Sequence, residues 1–379
     1  METTSFTQFG DIESFLHDSK MNGNIYEVPP QKPSTPPSDT FDDAHRTSNT
    51  DFLPSHCALQ NGLACSQSGH QKRMQEVVLA PFKYIESLPS KGVRNILIDA
   101  LNVWFKVPDV SFNIIREVVA LLHTSSLMFD DIEDGSALRR GKPATHKVFG
   151  IAQTINSSTY VLMSSIVKAR GLYNPDCSKI LVDGVYTMLE GQGMDLHSTY
   201  LMECPQENEY LEMVDRKTGG LFRIAYRLMR AESMEKSIPD LDTIMTILGR
   251  YFQIRDDYMN LESAEYTGQK GFCEDLDEGK FSFPLIHCLG GTSSLPPSMP
   301  HSLELKNIFA SRARLDGFGL SPEVKWHILD ILRNAGSLES TKLALNQLER
   351  GLRTELDLVE GLTGVKNMVL RGLIDKMHI

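Results

Sequence analysis

The chain has 379 residues, 41% of them hydrophobic, and its 38 Lys+Arg stand against 49 Asp+Glu for a formal net charge of −11. This is the composition of a globular protein in water, and the acidic balance excludes a broad basic footprint for nucleic acid. No run reaches the roughly 18 apolar residues of a transmembrane segment. Cys57, Cys65, Cys177, Cys204, Cys273 and Cys288 contain no CxxC pair, so neither a zinc framework nor a dense disulfide scaffold is expected.

In chain order, residues 1–73 come first and differ from the rest. Pro29, Pro30, Pro33, Pro36 and Pro37 lie within nine positions among Ser, Thr, Asn and Asp. Such a segment cannot bury enough apolar surface to offset its ordering entropy, so a disordered tail is expected. Glu2, Asp11 and Glu13 without an apolar stretch fit neither a secretory signal nor a transit peptide. Lys376-Met377-His378-Ile379 matches no retention or lipidation signal, and a cytoplasmic location is the expectation.

The body, residues 74–379, reads as helices. Apolar residues recur at helical spacing over Ile96–Phe105, Ile114–Phe129, Thr154–Ala169, Lys179–Gly191, Glu209–Met229, Leu241–Leu261, Val324–Arg333 and Ser340–Leu358. Turn chemistry separates them at Lys106–Asp109, Gly171–Pro175 and Gly290–Pro300. Strand alternation is missing, so the predicted class is all-α.

Two of these helices end in acids. Asp130-Asp131-Ile132-Glu133-Asp134 closes the run from Ile114, and Asp256-Asp257-Tyr258-Met259-Asn260 closes the run from Leu241. Positions i and i+4 share a helix face, so Asp130 and Asp134 point the same way. Two carboxylates about 6 Å apart repel by roughly 3 kcal/mol at an effective dielectric near 20, a cost that a cation between them removes. A few hard oxygen ligands suit Mg²⁺. A single acidic run is more often a solvated face. The duplication argues otherwise, and so do the cations that follow: Arg139, Arg140 and Lys142 after the first cluster, Lys270 and Lys280 after the second. Metal-gathering acids beside Arg forks and Lys point charges suit a diphosphate.

Six segments carry a resemblance: Ser90–Arg94, His123–Asp134, Leu138–Pro143, Gly191–Leu196, Lys217–Phe222 and Tyr251–Leu261. From about Val77 onward the chain resembles the trans-isoprenyl diphosphate synthases, and among them the fungal and animal type of geranylgeranyl diphosphate synthase. The resemblance implies a single helical domain with antiparallel helices around a deep central cavity. It implies condensation of isopentenyl diphosphate with an allylic diphosphate (dimethylallyl, geranyl or farnesyl), three Mg²⁺ ions per site, and a homodimer or higher homo-oligomer. Carried over residue by residue, Asp130, Asp134 and Asp256 would hold the metal, with Asp131 and Asp257 orienting them. Arg139, Lys217, Thr218, Gln253, Asn260, Lys270 and Lys280 would contact the allylic diphosphate. Lys91, Arg94, His123 and Arg140 would form the metal-free isopentenyl diphosphate site.

If the diphosphate sits at Asp130, the hydrocarbon tail passes Ser126 and Ser125 before Leu122 and Leu121. Small side chains leave that turn open, so a twenty-carbon product is expected, with Tyr160 a candidate for the floor. Longer-chain synthesis differs only in cavity depth, and a non-catalytic subunit would share the fold. A class I terpene cyclase is disfavoured: its second metal motif, (N/D)DxxSxxxE, would need Ser and Glu where this chain has Asn260 and Ala264.

Overall fold

A computed structural model describes residues 69–90, 92–290, 300–312 and 319–379. The expected tail falls mainly on residues 1–68, outside the described residues, and so do Lys91 and most of the Gly290–Pro300 turn. Helix α1 (Gly69–Glu86) begins before Met74, where the helical body was expected to start.

The expected helices are α2 (Val93–Phe105), α3 (Asp109–Glu133), α5 (Ile151–Ala169), α6 (Asp176–Leu201), α7 (Glu207–Ala231), α8 (Asp242–Glu262), α13 (Pro322–Asn334) and α14 (Ser337–Thr363). Shorter pieces complete the chain: α4 (Thr145–Phe149), α9 (Ala264–Gln269), α10 (Glu274–Glu278), α11 (Phe283–Leu289), α12 (Pro300–Arg312) and α15 (Met368–Met377). Between α3 and α4 lies a small hairpin, β1 (Leu138–Arg139) and β2 (Lys142–Pro143), with Leu138 opposite Pro143. Its two-residue turn has Arg140 at φ 57° and Gly141 at φ 76°. A turn with both central residues left-handed matches strand twist.

Helix α6 packs on α7, α7 on α8, α8 on α14, and α3 on α5. From Ile244 to Tyr251 every residue of α8 is buried, the mark of a helix surrounded on all sides. The approach of α6, α7 and α8 is set by glycine. A Cβ on Gly191 would lie 2.4 Å from the Lys217 nitrogen, and one on Gly249 would lie 2.8 Å from the Gly219 Cα. Side chains there would force the helices apart, so Gly191, Gly219 and Gly249 fix how closely Asp195, Lys217 and Gln253 can meet. This explains why α6 continues ten residues beyond the expected Gly191, to Leu201: the helical cost of glycine, about 1 kcal/mol, is offset by close packing.

Buried Glu232, just past α7, ties the break at Gly171–Pro175 into place. It accepts from Ser111 Oγ and from the backbone N–H groups of Asn174 at 2.7 Å and Tyr173 at 3.3 Å. Among the described residues, no helix is long and apolar enough to cross a membrane. The described cysteines, Cys177, Cys204, Cys273 and Cys288, are free thiols.

Candidate active site

The C-terminal ends of α3 and α8 open on one cavity of about 820 Å³, and Asp130 and Asp256 both line it. A helix C-terminus carries the negative end of the backbone dipole, so acids there add charge of the wrong sign. Cations supply the balance. Lys217 Nζ lies 3.2 Å from Asp130 and 2.6 Å from Asp195. Lys280 is 2.5 Å from Asp134 and 2.7 Å from Glu278, Lys270 is 3.1 Å from Asp256, and Arg139 is 3.5 Å from Asp130. Arg139 also holds Asp131, which is fully buried, through Nε at 2.7 Å.

These charges set the protonation states. Burial would raise Asp130, but Lys217, Lys280 and Arg139 hold its carboxyl well below the usual range. Asp134 is pushed up to about 7 by burial and then by the Asp130 charge. Burial likewise lifts Asp257 to about 6. Asp257 is a hub in the cavity wall: it accepts from Tyr210 Oη at 2.6 Å, Phe283 N at 2.8 Å and Gln253 Nε2 at 3.0 Å. Gln253 Oε1 in turn accepts from Thr218 Oγ1 at 2.6 Å. Asp257 therefore orients a polar chain that crosses from α8 to α7.

A second group of basic residues shares the cavity, within electrostatic reach of Asp130 and Asp256. Arg94, His123 and Arg140 all line it. Arg94 is pushed down to about 9 by burial and by Arg140, and its Nε is buried without a hydrogen-bond partner. Burial, then Arg94 and Arg140, hold His123 well below the usual imidazole range, so it is neutral. Arg140 also donates to the backbone oxygens of Leu88 at 3.1 Å and Ile85 at 3.3 Å, clamping the end of α1 over this corner. A buried guanidinium nitrogen with no partner next to a second guanidinium calls for an anion.

Magnesium fits the first half of the cavity. Asp130 and Asp256 present hard oxygens from two helix ends, and one Asp131 oxygen is buried with no hydrogen-bond partner. Among the described residues, no three His, Cys, Asp or Glu side chains are already gathered as a metal site. Lysines stand between the acids instead.

Most of the expected residues meet in this cavity: Asp130, Asp256, Arg94, His123, Arg139, Arg140, Lys217, Thr218, Gln253, Lys270, Lys280, Ser125 and Ser126. Others stand differently. Asp134 does not line the cavity; at the end of α3 its carboxylate turns to Lys280. Asn260 is buried, 2% exposed, and does not line the cavity; its Oδ1 accepts from the Asp275 backbone at 3.4 Å, and its Nδ2 is buried without a hydrogen-bond partner. Ser125 touches the cavity, but its hydroxyl donates to the Ser158 oxygen at 3.0 Å across the α3–α5 seam. Tyr160 is 41% exposed and forms no floor; Leu162, on the same helix, faces the cavity. Sequence reasoning also gave no role to Asp195, Tyr210, Arg255 or Lys376, which line the cavity too. Asp195 was within reach, since it lies in the quoted Gly191–Leu196 segment. So was Arg255, in the quoted Tyr251–Leu261 segment, whereas Lys376 carries no local signal.

The polyprenyl synthetase family matches residues 75–306. A bifunctional sesterterpene synthase of Talaromyces wortmannii is 49% identical over 306 residues, which cover 80% of this chain and 39% of that protein. An ophiobolin F synthase of Emericella variicolor is 43% identical over 372 residues, covering 97% of this chain and 48% of its own. Quiannulatene synthase from the same organism is 40% identical over 395 residues, covering 99% and 52%. The chain thus spans about half the length, or less, of these relatives. With the family match covering most of the chain, and the paired acidic helix ends facing one cation-lined cavity, the chain belongs to the polyprenyl synthetase family.

Proposed function

We propose that this chain elongates prenyl diphosphates, joining isopentenyl diphosphate head-to-tail to an allylic diphosphate. The observation that supports the reading is one cavity lined by two groups of residues of different chemistry. At Asp130 and Asp256, acids and lysines suit a metal-bridged diphosphate. At Arg94 and Arg140, two guanidinium groups beside neutral His123 suit a diphosphate bound without metal.

Bound at the first site, Mg²⁺ would neutralise the departing diphosphate as a Lewis acid. Asp130, Asp134 and Asp256 are the residues proposed to hold it, Asp134 after release from Lys280. Lys217, Lys270, Lys280 and Arg139 grip the remaining oxygens, and Thr218 and Gln253 are held in line by Asp257. Arg94, Arg140 and neutral His123 orient isopentenyl diphosphate so that its double bond faces the allylic carbon. The bond formed is carbon to carbon, the bond broken is the allylic carbon–oxygen bond, and one proton leaves.

Below the acids the wall is apolar: Leu122, Leu162, Val185, Leu221 and Phe222. With Ser126 at the first turn, this shaft supports the twenty-carbon product expected of the geranylgeranyl type. A twenty-five-carbon product is the second reading, favoured by a 49% identical relative being a sesterterpene synthase. Cyclisation is not proposed for this chain, because Asn260 and Ala264 stand where the cyclase motif needs Ser and Glu.

A homodimer belongs to the same proposal. Val182, Tyr186 and Leu189 on α6, and Ile155, Met163 and Val167 on α5, are each at least 42% exposed on neighbouring helices. Leu189 also lines the cavity, so a second copy on this face would close the shaft from outside.

The test is incubation with isopentenyl diphosphate, Mg²⁺ and each allylic starter, followed by phosphatase treatment and chromatography of the alcohols. Longer prenyl alcohols and free diphosphate are expected. No elongation from any starter would refute the proposal.

A further inference from the structure

Met188 lines the cavity. It lies seven residues before Asp195 on α6, about 10 Å along the helix axis. That places it beside the tail one or two isoprene units below the diphosphate. What stands behind Met188 is Gly220. A Cβ on Gly220 would fall 2.6 Å from Met188 Cγ and 3.8 Å from both its Cβ and its sulfur. Gly220 is buried, in the middle of α7, and its φ is not left-handed, so no backbone conformation demands glycine there. Its neighbour Gly219 has a different duty, admitting the α8 backbone at Gly249.

We propose that Gly220 is a specificity-determining residue for product length. The missing side chain lets Met188 lie back against α7 and leaves the shaft open to a growing tail. The inference rests on the chain-elongation reading and adds what controls the length. Methionine is unbranched and flexible, so a methyl group on Gly220 displaces Met188 more easily than it separates two helices. The open space beside Met188 is the cavity that it lines, and a thioether moved into that space stands where the tail must pass. Leu221 and Phe222 follow Gly220 on the same wall but project side chains that already define its width. Gly220 is the position where one added methyl group is transmitted to the shaft through a second residue.

The experiment compares the full chain with Gly220→Ala, Met188→Ala and the double variant. Each is incubated with dimethylallyl diphosphate, isopentenyl diphosphate and Mg²⁺, and prenyl alcohols are separated by length. Gly220→Ala is expected to shift the products shorter by at least one five-carbon unit, while the first condensation continues. Met188→Ala is expected to shift them longer, and the double variant to regain at least the wild-type length. An unchanged length distribution in Gly220→Ala, even with a loss of overall rate, would overturn the proposal. So would failure of Met188→Ala to restore length in the double variant. Should Gly220→Ala not fold by circular dichroism, Met188→Ala decides alone, and an unchanged length in it also overturns the proposal. A wild-type protein that elongates nothing sinks the parent reading instead, so the two failures are distinct.

Discussion

Two glycines in α6, two residues apart, should respond in opposite ways to alanine. Ala is favoured over Gly in a helix by about 1 kcal/mol, and at Gly193 nothing lies within 4 Å of the new Cβ. Gly193→Ala should therefore stabilise the protein by about 0.5–1 kcal/mol. At Gly191 the Cβ meets the Lys217 nitrogen at 2.4 Å, the Arg216 Cβ at 2.7 Å and the Arg216 carbonyl carbon at 2.9 Å. Two of these are backbone atoms of a packed helix, which cannot swing aside. Overpacking of this kind costs about 1–3 kcal/mol, so after the propensity gain of about 1 kcal/mol Gly191→Ala should destabilise by up to roughly 2 kcal/mol. Relief requires α6 and α7 to part near Asp195 and Lys217, whose ion pair is 2.6 Å long. A displacement of about 1 Å in such a group can lower turnover by about 10²-fold. Denaturant unfolding gives the stabilities and single-turnover elongation gives the rates. If Gly191→Ala proves as stable and active as Gly193→Ala, the close approach does not position Lys217.

Asp130→Ala and Asp256→Ala should each lower turnover by at least about 10³-fold, with far-ultraviolet circular dichroism unchanged; near-normal rates in either would show that its carboxylate does not hold the metal. Asp257→Asn tests protonation. A folded pKa of about 6 against the ordinary 3.8 means that the native state holds this proton more tightly. The group therefore favours folding below pH 3.8 and loses that contribution as pH rises through about 6, a change of about 3 kcal/mol. The stability of wild type relative to Asp257→Asn should fall by that order across this range in denaturant titrations, and a flat difference would refute the assignment. Ser126→Tyr should shorten the product in the elongation assay. Ser125→Phe should instead lower stability by about 2–4 kcal/mol, because it breaks the bond to Ser158 and overfills the α3–α5 seam; thermal melting distinguishes the two.

The eight expected helices and both acid-rich ends were legible from local pattern, because burial of one helix face imprints a 3.6-residue period. The i, i+4 spacing of Asp130 and Asp134 was equally local, yet their fates differ. Asp134 falls at the helix cap, where the chain turns toward Lys280, and no spacing rule reports a cap's direction. Asn260 and Tyr160 were misplaced for a related reason. Periodicity gives a residue its side of a helix but does not say whether that side meets a cavity, a loop or solvent. Helix α1 starts at Gly69 rather than Met74, since its first turn carries His70, Lys72 and Arg73 and no apolar signal.

By itself the sequence determined the all-α class and the two acidic helix ends, with the cations that follow each, since these depend on residues within a few turns of one another. Only the tertiary structure decided that the two ends share a single cavity, that Asp195 and Lys376 join it, and that Gly191, Gly219 and Gly249 let α6, α7 and α8 approach closely. Those facts depend on distances between helices far apart in the chain. Close packing fixes such distances to within a methyl group, and no local pattern of residues encodes them.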